Sequence, residues 1–423
     1  MPARIAILAL LLLCASSCAQ PWLIENAELN EGRINDIVER ASYASGYRVT
    51  HPLSVKLIGR IELFKILQEE TAATSQSTAW TARQDGQRAM GFPAETTDTI
   101  GQNLALLSRT VAGLYLPRKK TLYFVGEQAR SAMGSFYLNS LGTLEDELTL
   151  AHEAIHALQH LHYPELFEPD KAAWPQQTDA SLALQASKEG DAILWAAQSL
   201  GFLGGPRDPE EVLALARTDS GSLSDAPKPV RELINFTYTY GYRFTYHEGK
   251  LGLASPPAST EQVIHVERNG RRAFQAIDLS GLARWLETEG CRILYQDTMG
   301  ELTLSLWFQS FDSTVTPNIW EGWDGDRWMA AECENGREMA WLTSWDTEQD
   351  ALEFARGVAG IAANVVDRAG LKSPLAAERQ GREVIVVSGG LSAKRADATV
   401  TRLARRARVT TRAELAEHFG RAK

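Results

Sequence analysis

Long apolar stretches are missing from this 423-residue chain. The longest unbroken run, Ile5 to Leu13, has nine residues, against the roughly 20 that a membrane-spanning helix needs. Cysteine is scarce as well, with four in all, which excludes a disulfide-stapled mini-fold. None is needed as a substitute for a core, because the length and the 44% hydrophobic content suffice to bury one. Internal repeats are absent, which excludes solenoids and propellers, and no clean linker divides the chain. The basic C-terminal stretch lacks interleaved aromatics. Residues 394–423 hold nine Lys/Arg against three acids, in a chain of net charge −10. Without rings to stack bases, that excess reads as a solvated helical face and argues against a nucleic-acid partner.

What is present begins with a leader. Arg4 precedes the apolar run, and Ala15-Ser16-Ser17-Cys18 follows it at once. That order suits a secretory signal, and the four residues resemble the box cut by the lipoprotein signal peptidase, with Ala15 where leucine is usual. A plain cut after Ala19 is the competing reading. Either way the chain is expected to be exported, as a periplasmic or lipid-anchored protein of the cell envelope, with Cys18 as the anchor point. Cys14 also belongs to the leader, so Cys291 and Cys333 are left for the mature body. One disulfide and two buried thiols both fit them. The expected organisation is a signal segment (1–18), a single body (19–390) and a basic helical tail (391–423).

Along the body, Asn30 can cap a helix with Ile34, Ile37, Val38 and Ala41 on one face, ended by Gly46. Leu53, Val55 and Leu57 alternate as a strand, and a helix follows over 60–70. The polar stretch from Thr71 to Gln87 reads as a long loop or a loosely packed helix. Leu114 to Leu116 and Thr121 to Val125 flank Pro117-Arg118-Lys119-Lys120 as a hairpin. Thr143 can cap a helix reaching about His162, and another spans about 178–200. Past residue 230 helices are expected near 279–289 and 346–358, and a strand over Val384 to Val387. The fold class is therefore α+β, with a largely helical second part.

The chemistry centres on His152-Glu153-Ala154-Ile155-His156. Four residues apart on a helix, the two imidazoles project from one face about a turn apart, which suits two ligands of one tetrahedral Zn2+. Glu153 stands beside that face, where it can serve a metal-activated water without ligating the metal. A third ligand must come from elsewhere. Glu189, in Ser187-Lys188-Glu189-Gly190-Asp191-Ala192, lies on the following helix, and Gly190 would let the two helices approach. His162 falls six residues after His156 but lacks the intervening glycine, since Gln159 stands there; His160 sits a full turn too far along the axis.

These residues carry a resemblance. His152 to Gln159 followed by Glu189-Gly190-Asp191-Ala192 is similar to a group of bacterial gluzincin-like metallopeptidases, many of them lipoproteins. So are Gly113-Leu114-Tyr115, Tyr238-Thr239-Tyr240-Gly241, Ser259 to His265, Asp297 to Glu301, Gly322 to Arg327 and Trp345 to Glu348. The likeness covers about residues 30–390 and departs at Val266, where that group carries proline. It implies a zincin-like fold, zinc held by His152, His156 and Glu189, and Glu153 as general base in hydrolysis of a peptide or protein substrate. The oxyanion partner is expected among His265, Tyr240 and Arg327, in that order. Asp179 and Asp191 are candidates to orient the ligand imidazoles. Strand Thr121 to Val125 is a candidate edge for an extended peptide, and Trp320, Trp323 and Trp328 are candidates to line a pocket, although a packed core suits them better. A catalytically idle envelope binding or assembly protein is the alternative function.

Overall fold

The computed structural model describes residues 23–25, 28–75, 78–92, 107–109, 111–126, 145–167, 176–201, 228–267, 271–334, 336–388 and 399–420. The leader with Cys18, and Thr143, lie outside the described residues.

The first part opens with short strands β1 (Ile24–Glu25) and β2 (Glu28–Leu29) and then helix α1 (Glu31–Ser45). The Asn30 side chain accepts from the Arg33 N–H, and Gly46, at φ 72°, closes the helix in the left-handed conformation that glycine adopts without strain. Strand β3 (Ser54–Ile58) leads into α2 (Arg60–Ser75) and α3 (Thr78–Ala89), so the polar stretch is largely helical. Strands β4 (Gly113–Leu116) and β5 (Thr121–Val125) form the hairpin. The sheet order is β3-β5-β4, with β3 parallel to β5. Thr121 to Val125 is therefore the interior strand, its residues buried throughout, and the edge is β4. This corrects the expected edge: pairing on both sides leaves β5 no open ladder for a peptide.

Helix α4 (Glu145–His162) packs its Leu150, Ala151 and Ala154 against Leu122, Phe124, Ile34 and Ile37. The buried Arg33 guanidinium grips Glu147 at 2.6 Å from both oxygens, tying α1 to α4. Helix α5 (Thr178–Ser199) follows, then α6 (Lys228–Asn235), a π-helical turn over Phe236–Tyr240, and α7 (Gly241–Glu248). Short helices α8 (Leu251–Ala254) and α9 (Thr260–Ile264) lead to the second part.

That second part is not largely helical. After β6 (Phe274–Asp278) and α10 (Ser280–Thr288) come β7 (Arg292–Asp297), α11 (Gly300–Phe311), β8 (Trp323–Cys333), β9 (Gly336–Trp345), α12 (Glu348–Ala369), β10 (Ala376–Gln380) and β11 (Glu383–Val387). They build an antiparallel sheet in the order β10-β11-β9-β8-β7. Its strands β8 and β9 are covered on both faces, so the inside–outside alternation that marks a half-exposed strand never appears in their sequence. One face packs Trp307, Trp323, Trp341, Trp345, Phe308 and Phe354 into an aromatic core. Trp323 and Trp328 are core residues, with Trp320 packed against them.

The tail is likewise part of the body. Strand β12 (Arg405–Val409) pairs antiparallel with β6, and α13 (Arg412–His418) follows. Its arginines pair with acids of the body: Arg405 with Asp278, Arg406 with Glu383 at 2.7 Å, and Arg408 with Asp324 at 2.5 Å. Partners distant in sequence convert an expected solvated helix into a sheet strand. Cys291 and Cys333 are joined as a disulfide, Cα atoms 4.2 Å apart, beside the β7–β8 pair.

Candidate metal centre

Helices α4 and α5 cross with their polar faces together. Ala151, Ala154, Ile155 and Leu158 bury the apolar side of α4, which leaves His152 and His156 aimed at α5. Glu189 meets them there. Its Oε2 lies 3.2 Å from Nε2 of both His152 and His156, and the two Nε2 atoms are 3.0 Å apart. His152 is 2% exposed and Glu189 7%. The three atoms form the tightest His/Asp/Glu group of ligand atoms among the described residues. Separations near 3 Å match an edge of a tetrahedron whose bonds are about 2.0–2.1 Å. Two imidazole nitrogens and a carboxylate oxygen are also the donor types of a catalytic zinc site. The residues present therefore fit such an ion.

The electrostatics of the bare cluster point the same way. Burial works against an ionised Glu189, but the imidazoles of His156 and His152 hold its carboxyl well below the usual range. Burial equally opposes a charged His156, and the Glu189 carboxylate overrides it, lifting the imidazole to about 9. A carboxylate kept ionised in a dry cleft asks for a cation.

Second contacts orient one histidine and not the other. The Gln159 amide donates from Nε2 to Lys188 O (3.0 Å) and Asp191 Oδ2 (2.7 Å), so its oxygen must accept. It does so 2.9 Å from His156 Nδ1, which fixes that nitrogen as a donor, so that Nε2 is the one left to offer a lone pair once a cation displaces the proton it shares with Glu189. Asp191 in turn accepts from Trp195 Nε1 (2.7 Å) and the Tyr47 hydroxyl (3.1 Å). Gln185 donates to the second Glu189 oxygen at 2.6 Å. His152 Nδ1, by contrast, is buried without a partner among the described residues.

Glu153, 8% exposed, lies on the α4 face turned toward β4, where its Oε2 accepts the Tyr115 backbone N–H at 2.7 Å. Gly113 makes this approach possible, because a Cβ there would stand 2.8 Å from both Glu153 Cγ and Thr149 Cγ2.

The remaining sequence candidates lie apart. His265 Nε2 is 3.0 Å from Glu301, and the Arg327 guanidinium donates to Gln176 O at 2.5 Å and covers Phe419. Neither touches the triad among the described residues. Tyr240 turns into an apolar cluster and stacks on Phe236. His160 is bonded to the Tyr115 hydroxyl (2.8 Å) and His162 to the Arg48 N–H (3.2 Å), which takes both out of the ligand set. Asp179 binds Thr260 instead of a ligand imidazole.

Tyr238, passed over in the sequence, is the aromatic that arrives. Its ring lies 6.4 Å from that of His152, and the charge of Glu189, then burial, then Glu153 keep its phenol protonated far above the usual range. The signal for it was Gly241. A Cβ on Gly190 would strike Gly241 O at 1.9 Å, and one on Gly241 would strike Ala186 O at 2.1 Å, so it is α7, not α4, that meets α5 backbone to backbone at Gly190. Three residues before Gly241, Tyr238 shares the face turned to α5.

A family model described as a domain of unknown function (DUF8575) matches residues 292–411. The match takes in β7 to β12 and includes neither α4 nor α5. No curated protein and no solved structure matches the chain.

Proposed function

We propose that the protein is an exported zinc-dependent peptidase of gluzincin type, with His152, His156 and Glu189 as metal ligands. The convergence of these three ligand atoms with Glu153 beside them carries the reading. A zinc ion held there supplies Lewis acidity, which acidifies water and polarises a peptide carbonyl.

The chain's own groups do the rest. Glu153, fixed by the Tyr115 N–H, accepts a proton and delivers it to the leaving amine. Tyr238, held protonated, donates its hydroxyl to the developing oxyanion, the role the sequence assigned to His265 or Tyr240. Among the described residues strand β4 pairs only with β5, so its outer edge, apart from the Tyr115 N–H that Glu153 takes, can receive an extended peptide as a further strand. A motif helix beside such an edge, with the third ligand on the next helix, supports a zincin-like fold. The Cys291–Cys333 disulfide supports the exported location and the leader reading, including a lipid anchor on Cys18. No helix among the described residues is long and apolar enough to cross a membrane.

The test pairs wild type with Glu153→Gln in metal analysis and cleavage of a peptide library. One zinc per chain in both is expected, with cleavage lowered about 10²–10⁴-fold in the variant. Zinc in both without cleavage by wild type points to the binding or assembly alternative; absence of bound metal removes the site.

A further inference from the structure

Beside the triad runs a wall of which the proposed reaction uses only Glu153 and the backbone that holds it. Glu153 and His160, seven residues apart, share the α4 face turned to β4. The Tyr115 backbone holds Glu153 while its hydroxyl meets His160 Nδ1. The His160 ring lies 5.3 Å from the Phe167 ring, and the Lys188 ammonium sits 4.7 Å over that same ring. Lys188 immediately precedes the ligand Glu189 and is half-buried.

This cation has no direct counterion: among the described residues its ammonium has the Phe167 face and no ion-pair partner. Glu189 attracts it through space but makes no contact with it, because Glu189 Oε1 takes Gln185 and Oε2 faces both histidines. A ring face is a weak counterpart for an ammonium partly removed from water. Part of the desolvation is thus already borne in the folded protein, so an arriving anion meets a smaller cost at this cation than at a fully hydrated one.

We propose that Lys188, framed by Phe167 and His160, is a subsite for a carboxylate of the peptide substrate. The inference rests on the peptidase reading and names the substrate class of that site. The carboxylate has two sources, an acidic side chain near the scissile bond or the C-terminal carboxylate.

The experiment uses the zinc-loaded full chain and a neutral, amidated octapeptide. In one series a single Glu is walked along it, and in another the C-terminus is left free. Cleavage rates are measured for wild type, Lys188→Met and Lys188→Arg, and binding of the same peptides to a Glu153→Gln protein with and without Lys188→Met. One placement of the carboxylate is expected to raise kcat/KM and affinity about 10-fold over the neutral peptide. That ratio falls to about one in Lys188→Met and is largely kept in Lys188→Arg. Preference at one internal position identifies a side chain; preference only for the free terminus identifies the C-terminal group. Equal treatment of charged and neutral peptides by wild type, or a preference that survives Lys188→Met, overturns the subsite. If nothing is cleaved the peptidase reading fails by itself, and the binding ratio still decides the subsite.

Discussion

Helix α5 carries three buried carboxylates, and two of them, Glu189 and Asp179, stand about 15 Å apart along its axis in surroundings that treat them oppositely. At Glu189 two imidazoles outweigh the cost of burial, and the group stays ionised. At Asp179 burial dominates, Asp326 and Glu301 add like charge, and only the N–H and hydroxyl of Thr260 oppose them; its carboxyl is pushed up to about 8. One Asp179 oxygen has no partner among the described residues. Burial alone therefore does not make a reactive carboxylate. Facing bases keep one ionised and fit to hold a cation, and facing acids turn the other into a neutral peg that joins α5 to α9.

The largest effect should come from removing the first of these. Glu189→Gln keeps the shape and the Gln185 contact but deletes the negative charge. Zinc affinity, read by chelator competition, is expected to fall more than about 100-fold, since even outer partners of metal ligands typically cost 10–100-fold. An unchanged affinity would break the contrast at its strong end. The next effect belongs to Gln159→Leu, which removes the acceptor that fixes His156 but leaves His152 as it was. A loss of about 10–100-fold in zinc affinity is expected, and a loss below threefold would reduce the Gln159–Asp191 chain to packing.

The sequence reveals these features unevenly, for physical reasons. His152, His156 and Glu189 are legible because helical spacing and ligand chemistry are local properties. Tyr238 was passed over for Tyr240 because Gly241 marks the face only once its partner Gly190 on α5 is known, and the π-turn over Phe236–Tyr240 shifts the ring directions. Strands β8 and β9 were missed because both faces are covered and Asp324, Asp326 and Arg327 lie buried within β8. Their partners, among them Arg408 and the N–H groups of Met299 and Gly300, are remote in sequence. The arginine-rich strand β12 reads as a helix for the same reason: β6, with Asp278, Asp324 and Glu383 as partners for its arginines, makes it a strand.

The smallest effect tests the weak end of the contrast. Asp179→Asn keeps an oxygen for Thr260 and replaces the partnerless one with a neutral amide. In the unfolded chain this carboxyl titrates near 3.8, and in the fold near 8. Below about pH 4 it is protonated in both states and costs nothing. Between pH 4 and 8 the unfolded chain releases the proton that the folded chain keeps, so this group erodes stability as pH rises, by at most about 1.4 kcal/mol per unit. Glu261, also raised to about 8, imposes a slope of the same sign, but it is common to both proteins and cancels in their difference. Urea midpoints at pH 5, 6.5 and 8 should therefore show the variant gaining on wild type as pH rises, by on the order of 1 kcal/mol for each unit. Zinc affinity should not move, because Glu189 lies about 15 Å further along the helix. Parallel curves across that range would mean that Asp179 is ionised in the fold, and the two carboxylates would then differ in their partners but not in their charge.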